Sequence, residues 1–144
     1  MEDSLTRHPE EACGVLLGDI TADSAVIDNY LPIRNISSQP RQNFLLDPRQ
    51  WVTCCYNPRL IGLYHSHPSA PPVPSDTDLQ QLPLFADLLK LYVIGSSYTD
   101  LDASRDMANI QGKIIRNTVT LNGYHIIYNK QRLPELTQIK LIFN

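Results

Sequence analysis

His65-Ser66-His67-Pro68-Ser69-Ala70-Pro71-Pro72-Val73-Pro74-Ser75-Asp76-Thr77-Asp78 is the stretch on which the reading of this 144-residue chain turns. On an extended segment, residues i and i+2 point to one side. His65 and His67 can therefore present two imidazole nitrogens to one ion. Asp78, eleven residues after His67, supplies a third ligand if the proline-rich loop between them folds back. Two nitrogens and an oxygen suit zinc, and three protein ligands leave the fourth tetrahedral position open for chemistry. The plainer readings stand beside this one. An H-x-H pair alone is weak evidence for a metal. Ser75 and Asp78 also suit a helix N-terminus, with Ser75 as the N-cap and Asp78 at its third position, near the positive end of the helix dipole. A cap and a ligand are compatible, because a carboxylate at a helix start is well fixed.

Working outward, residues 59–65 read as an extended run. Leu60, Ile61 and Leu63 are too closely set for a surface helix of this length. The run delivers the two histidines at its C-terminal end. Upstream, Asp47 and Pro48 suit the cap and first position of a helix over residues 49–56, which Asn57-Pro58 ends. Downstream, residues 68–74 hold four of the eleven prolines, so the loop is semi-rigid and loses little entropy on fixing. It reads as a preset wall of the metal site, or as a plain surface linker. Ser75 then starts a helix that Pro83 interrupts, with a further turn or two over residues 84–90. Residues 91–95 read as a central strand and residues 96–108 as a polar loop over the site. Residues 119–128 and 139–143 read as late strands, with Asn122-Gly123 a candidate hairpin turn. Near the N-terminus, residues 4–8 suit a short helix, and residues 12–17 and 25–33 neighbouring strands. Such alternation predicts an α/β or α+β layer fold, a sheet covered by helices.

The segment Pro9-Glu10-Glu11-Ala12-Cys13-Gly14 adds an acidic residue upstream. With it the chain resembles the JAMM (MPN+) family of zinc metallopeptidases. That pattern is a Glu three before a Gly, then H-[ST]-H-P, six residues, S, two residues, D. Glu11 with Gly14, His65, Ser66, His67, Pro68, Ser75 and Asp78 fill every position. Glu11 is preferred to Glu10 because only Glu11 has the spacing to Gly14. The run from Phe44 to Pro48, the segment Ile61-Gly62-Leu63-Tyr64 and the apolar residues 91–94 also match. The likeness covers residues 9–97, and nothing specific follows Ser97. It implies a mixed β-sheet flanked by helices in the JAMM/MPN-like, cytidine-deaminase-like fold, as one domain over residues 1–144. It implies one zinc per chain on His65, His67 and Asp78. Glu11, outside the ligand count, is then the general acid/base, and Ser75 donates to the developing oxyanion. Ser66, on the opposite face of the strand, is structural.

Composition narrows the class. A hydrophobic content of 42% with 19% charged residues argues against disorder, and the length suits one core. A net charge of −3 with no Lys or Arg run leaves no electrostatic footprint for nucleic acid. No 18-residue apolar segment and no basic, apolar leader are present, so the expectation is a soluble cytoplasmic protein without a membrane partner. Three cysteines, Cys13, Cys54 and Cys55, form no C-x-x-C pair and read as small buried side chains.

The resemblance further implies hydrolysis of a peptide or isopeptide bond after the C-terminal Gly-Gly of a ubiquitin-like or sulfur-carrier protein, in a small prokaryotic version of the family. Residue chemistry does not name the substrate or the oligomeric state. Two other classes remain: a non-catalytic MPN-type module that binds ubiquitin-like folds, and a zinc hydrolase of a non-protein amide. A DNA-repair-associated relative is disfavoured by the absence of a basic stripe.

Overall fold

The computed structural model describes residues 2–97 and 119–144. Helix α1 (Glu2–Arg7) precedes an antiparallel pair, β1 (Cys13–Ile20) and β2 (Ser24–Ile33). Helix α2 (Pro48–Cys55) begins where the Asp47 side chain accepts from the Arg49 backbone N–H at 2.9 Å, with Pro48 at the helix start. There the missing proline N–H is one the helix would not use. Strand β3 (Leu60–His67) and helix α3 (Asp76–Gln81) follow, then a single 3₁₀ turn at Leu82–Leu84. Strands β4 (Leu91–Ser96), β5 (Thr120–Tyr128) and β6 (Pro134–Phe143) complete the described elements.

The mixed sheet with few helices is the expected α+β class. Its six described strands also close on themselves in the order β1-β2-β6-β5-β4-β3. The closing contact is parallel and short, Ser24–Ile27 of β2 against Lys140–Phe143 of β6. Two apolar clusters occupy the two faces of the ring. One consists of strand residues, among them Leu16, Ala25, Ile61, Tyr64, Val93 and Ile139. The other joins Val15, Leu63, Tyr92, Ile94 and Ile126 to Phe44, Leu46 and Leu82 from the loops and helices. Each fully buried aliphatic side chain contributes roughly 1.5–3 kcal/mol, so both faces of β3 and β4 are firmly held. The histidines leave β3 on the second, helix-covered face.

Several local expectations are corrected. Asn122 and Gly123 lie inside β5, opposite Ile94 and Val93 of β4, and are not a turn. The reversal falls at residues 129–133, where Arg132 takes a φ of 61°. A methyl group on Gly123 would meet Leu141 Cδ2 at 2.3 Å, so this glycine serves close strand packing. Strand β6 starts at Pro134, earlier than expected. The turns predicted as helical over residues 84–90 are successive tight turns, closed by bonds such as Phe85 N–H to the Leu82 carbonyl at 3.0 Å. Pro83 removes a donor that a regular helix would need. Cys13 is buried, but Cys54 and Cys55 are only half-buried on α2. The expected loop over residues 96–108 lies, from residue 98 onward, outside the described residues. Among the described residues no helix is long and apolar enough to cross a membrane.

Candidate metal centre

Strand pairing brings the N-terminal glutamate to the histidines. In the β1–β3 ladder Cys13 stands opposite His65, and the Ser66 N–H donates to the Ala12 carbonyl at 2.9 Å, extending the ladder. The next pair in that register is Glu11 and His67. Ser66, pointing away from the ligands, accepts from the Ala12 N–H through its hydroxyl at 2.8 Å. Its structural role is thus to fix β1 beside β3 at the site. Both backbone groups of Glu11 are tied to the following loop. Its N–H donates to the Pro40 carbonyl at 2.6 Å, and its carbonyl accepts from Asn35 Nδ2 at 3.1 Å. Asn35 also bonds the Asn43 carbonyl and the Ser37 and Leu45 N–H groups. No sequence motif pointed to Asn35.

Asp78 arrives from the other direction. The Ser75 hydroxyl accepts from the Asp78 N–H at 3.1 Å, and the Asp78 carboxylate accepts from the Ser75 N–H at 2.8 Å. This reciprocal capping box fixes the carboxylate as it fixes the helix start. Cap and candidate ligand therefore coincide, and the Ser75 hydroxyl proton remains available to a third group.

His65, His67 and Asp78 are all buried and converge, the one group of potential metal ligands found among the described residues. The two Nε2 atoms lie 2.9 Å apart. His65 Nε2 is 3.2 Å from Asp78 Oδ1, and His67 Nε2 is 3.2 Å from Asp78 Oδ2. Ligand atoms around a small four-coordinate cation lie roughly 3.3 Å apart, so the cluster, with one carboxylate oxygen facing each imidazole, is compact enough to close on one metal ion. The protons point the same way. His67 Nδ1 lies 2.8 Å from the Pro71 carbonyl, and a neutral imidazole donating there has a bare Nε2. One proton on His65 Nε2 cannot satisfy both His67 and the carboxylate. The set is rich in lone pairs facing one point, which is the chemistry of a cation cradle.

Electrostatics sort the members. Burial opposes ionisation of Asp78, but contacts with both imidazoles and the Ser75 N–H outweigh it and hold its pKa well below the carboxylate range. Burial lowers the His65 pKa. For His67, burial acts in the same direction but is outweighed by hydrogen bonding with Asp78 and Pro71, so its pKa is raised. Glu11 is pushed up to about 7 by burial, against the pull of His67. Neighbouring Glu10 is exposed. Cys13 is pushed up to about 12 by burial, so its thiol is no nucleophile at neutral pH.

A cleft of about 240 Å³ is lined by Glu11, His67 and Ser75 together with Arg41, Gln42 and Ser69. Two aromatic neighbours complete the inner wall. The Phe44 ring stacks on His65 with centroids 4.7 Å apart, and Tyr92 meets it edge-on at 5.4 Å. Phe44 lies in a run already singled out, whereas Tyr92 carried no signal beyond its place on an apolar strand.

The family profile described as prokaryotic homologs of the JAB domain matches residues 1–109. A desampylase of Haloferax volcanii is 37% identical over 78 residues, covering 51% of this chain and 55% of that protein. Tail tip assembly protein K of Escherichia phage N15 is 30% identical over 101 residues, covering 70% of this chain and 39% of that protein. The chain thus spans about half the length of the first of these curated relatives and two fifths of the second. A solution structure from Desulfitobacterium hafniense superposes with a TM-score of 0.64 at 22% identity, covering 99% of this chain and 84% of that one. Another, from Salinibacter ruber, gives 0.53 at 23% identity, with 99% and 83% coverage. At such identities these two structures speak for the fold alone. With most of its length inside the family profile and every motif position filled, the chain belongs to the prokaryotic branch of the JAB (JAMM/MPN) family.

Proposed function

We propose that the chain is a zinc-dependent JAMM-type isopeptidase acting on an amide bond after the C-terminal Gly-Gly of a ubiquitin-like or sulfur-carrier protein. The domain runs over residues 1–144, since β5 and β6 complete the ring that holds β3 and β4. One observation carries the reading. Glu11 and Ser75 line the same cleft as His67, beside a ligand triangle that needs neither of them. The substrate class is supported by the likeness to the desampylase.

His65, His67 and Asp78 would hold the zinc, which supplies Lewis acidity that brings water to a pKa of about 7 and polarises the scissile carbonyl. Glu11 takes the proton of the attacking water and returns it to the leaving amine. Its raised pKa, about 7, suits a group that must both accept and donate near neutrality. The Ser75 hydroxyl, whose oxygen already accepts from Asp78, donates to the carbonyl oxygen as it gains charge. The anchored carbonyl and N–H of Glu11 hold that carboxyl in place between turnovers.

The test is cleavage of Gly-Gly-linked conjugates by zinc-loaded protein. Activity should disappear on chelation and fall by about 10²–10⁴-fold in Glu11→Gln, with zinc content unchanged. Zinc-loaded protein that cleaves no such conjugate would reject the substrate class. A second reading rests on the longer match to the phage tail tip assembly protein. In that reading the same centre hydrolyses an amide in tail assembly, and only non-ubiquitin-like amides are cleaved.

A further inference from the structure

The loop between His67 and Ser75 is held by its carbonyl groups, one after another. The Ala70 carbonyl accepts from the Ser96 hydroxyl. The Pro71 carbonyl faces His67 Nδ1 at 2.8 Å. The Pro72 carbonyl accepts twice, from Asn122 Nδ2 at 3.1 Å and from the Tyr124 hydroxyl at 3.0 Å. Asn122 and Tyr124 are i and i+2 on β5, paired with Ile94 and Tyr92 of β4, so their side chains leave the sheet on one face. A carbonyl oxygen has two lone pairs, and here both are taken by donors from one strand.

We propose that Asn122 and Tyr124 are positioning residues for the metal centre: by fixing Pro72 they hold the Pro71 carbonyl that orients His67. The proposal rests on the zinc reading of His65, His67 and Asp78. The covalent link is short and stiff. The Pro72 ring fixes φ, so between the Pro71 and Pro72 carbonyls only the ψ torsion of Pro72 is free. Locking the second carbonyl therefore restricts the first. An imidazole whose Nδ1–H is held by a fixed acceptor keeps Nε2 bare and aimed at the metal. Neither Asn122 nor Tyr124 lines the cleft or belongs to the ligand set. Their action is through the loop alone.

The test compares Tyr124→Phe, Asn122→Ala and the double variant with the parent. Tyr128→Phe is the control, because its hydroxyl donates to Asp87 at 2.9 Å, away from the loop. Zinc affinity is measured by competition with a chromophoric chelator. Each single variant should lose roughly 3–10-fold, and the double variant about 10–100-fold, the range typical of a lost outer partner of a ligand. Cobalt-loaded double variant should show a shifted visible spectrum. In metal-free protein, at a pH where His67 is neutral, its imidazole ¹⁵N shifts should move from the Nδ1–H tautomer toward a mixture. Parent-like zinc affinity and ring shifts, with only the melting temperature lowered, would assign the two side chains to the fold and overturn the proposal. Tyr124→Phe alone decides the matter if the double variant does not fold, since it removes one hydroxyl. A parent that binds no zinc refutes the zinc reading, while the ring shifts still judge the positioning role.

Discussion

His65 and His67 leave the same face of β3, yet their surroundings hold them by opposite means. His65 is fully buried, its ring stacked on Phe44 and edge-on to Tyr92, and its Nδ1 has no hydrogen-bond partner among the described residues. His67 sits at the cleft, and its Nδ1 meets the Pro71 carbonyl. One imidazole is oriented by packing, the other by a polar loop. Packing fixes a ring once the core has formed, whereas a hydrogen bond from a loop is only as firm as the loop. The wall side of the site, with Glu11 and His65, is thus set by the sheet and by the packed loop that carries Asn35, Pro40 and Phe44. The loop side, with His67, Ser75 and Asp78, depends on the prolines and the capping box.

The largest expected effect comes from removing both imidazoles. His65→Ala/His67→Ala should be purified without zinc, a loss beyond the roughly 10–100-fold typical of an outer partner. Full occupancy by elemental analysis would remove the metal centre altogether. Next, Ser75→Asp separates the two duties of the loop side. Aspartate caps a helix about as well as serine, so the melting temperature should stay near that of the parent. An ionised carboxylate there opposes the developing oxyanion, and turnover should fall by roughly 10²-fold or more. Near-normal turnover of the zinc-loaded variant would leave Ser75 as a cap alone.

The smallest effect concerns the wall side in metal-free protein. Glu11 has its pKa raised from 4.5 to about 7, chiefly by burial. Below 4.5 it is protonated both folded and unfolded. Between 4.5 and about 7 the unfolded chain gives up a proton that the buried carboxyl keeps, so stability falls across that window and the loss is complete once the folded group ionises. Against Glu11→Gln in chelator, the parent should therefore lose about 1–3 kcal/mol between pH 4 and pH 8. Glu10→Gln, altering an exposed neighbour, should stay within about 0.5 kcal/mol of the parent at both values. A pH-dependent change in Glu10→Gln with none in Glu11→Gln would show that the wrong glutamate faces the metal.

The ligand-bearing half was legible because its signals are local. Asp47-Pro48 starts a helix, the close-set apolar residues after Arg59 make a strand, and Ser75 with Asp78 makes a cap, each by chemistry confined to a few residues. The far half was less legible because its decisive contacts are long-range. Asn122-Gly123 has the composition of a turn, but Asn122 is held by Pro72 and Gly123 by the approach of Leu141. Tertiary contacts override the local preference there. The short parallel pairing of β2 with β6 has no counterpart in any local pattern, so ring closure could not be read from periodicity. Tyr92 and Asn35 were missed for the same reason, their importance lying in what faces them.

Ring closure also sets an order of events as the chain folds. Beyond the end of β6, Asn144 reaches Asp28 across 116 positions of sequence, whereas residues 134–139 of the same strand pair with neighbouring β5. Closing the longer loop costs about 2 kcal/mol more entropy than closing a ten-residue hairpin. The β5–β6 hairpin is thus expected to form first and dock onto β2 as a unit, making the parallel seam a late step in folding. Pulse-labelled amide exchange should find residues 135–139 protected before residues 140–143, and simultaneous protection would mean that hairpin and seam form together.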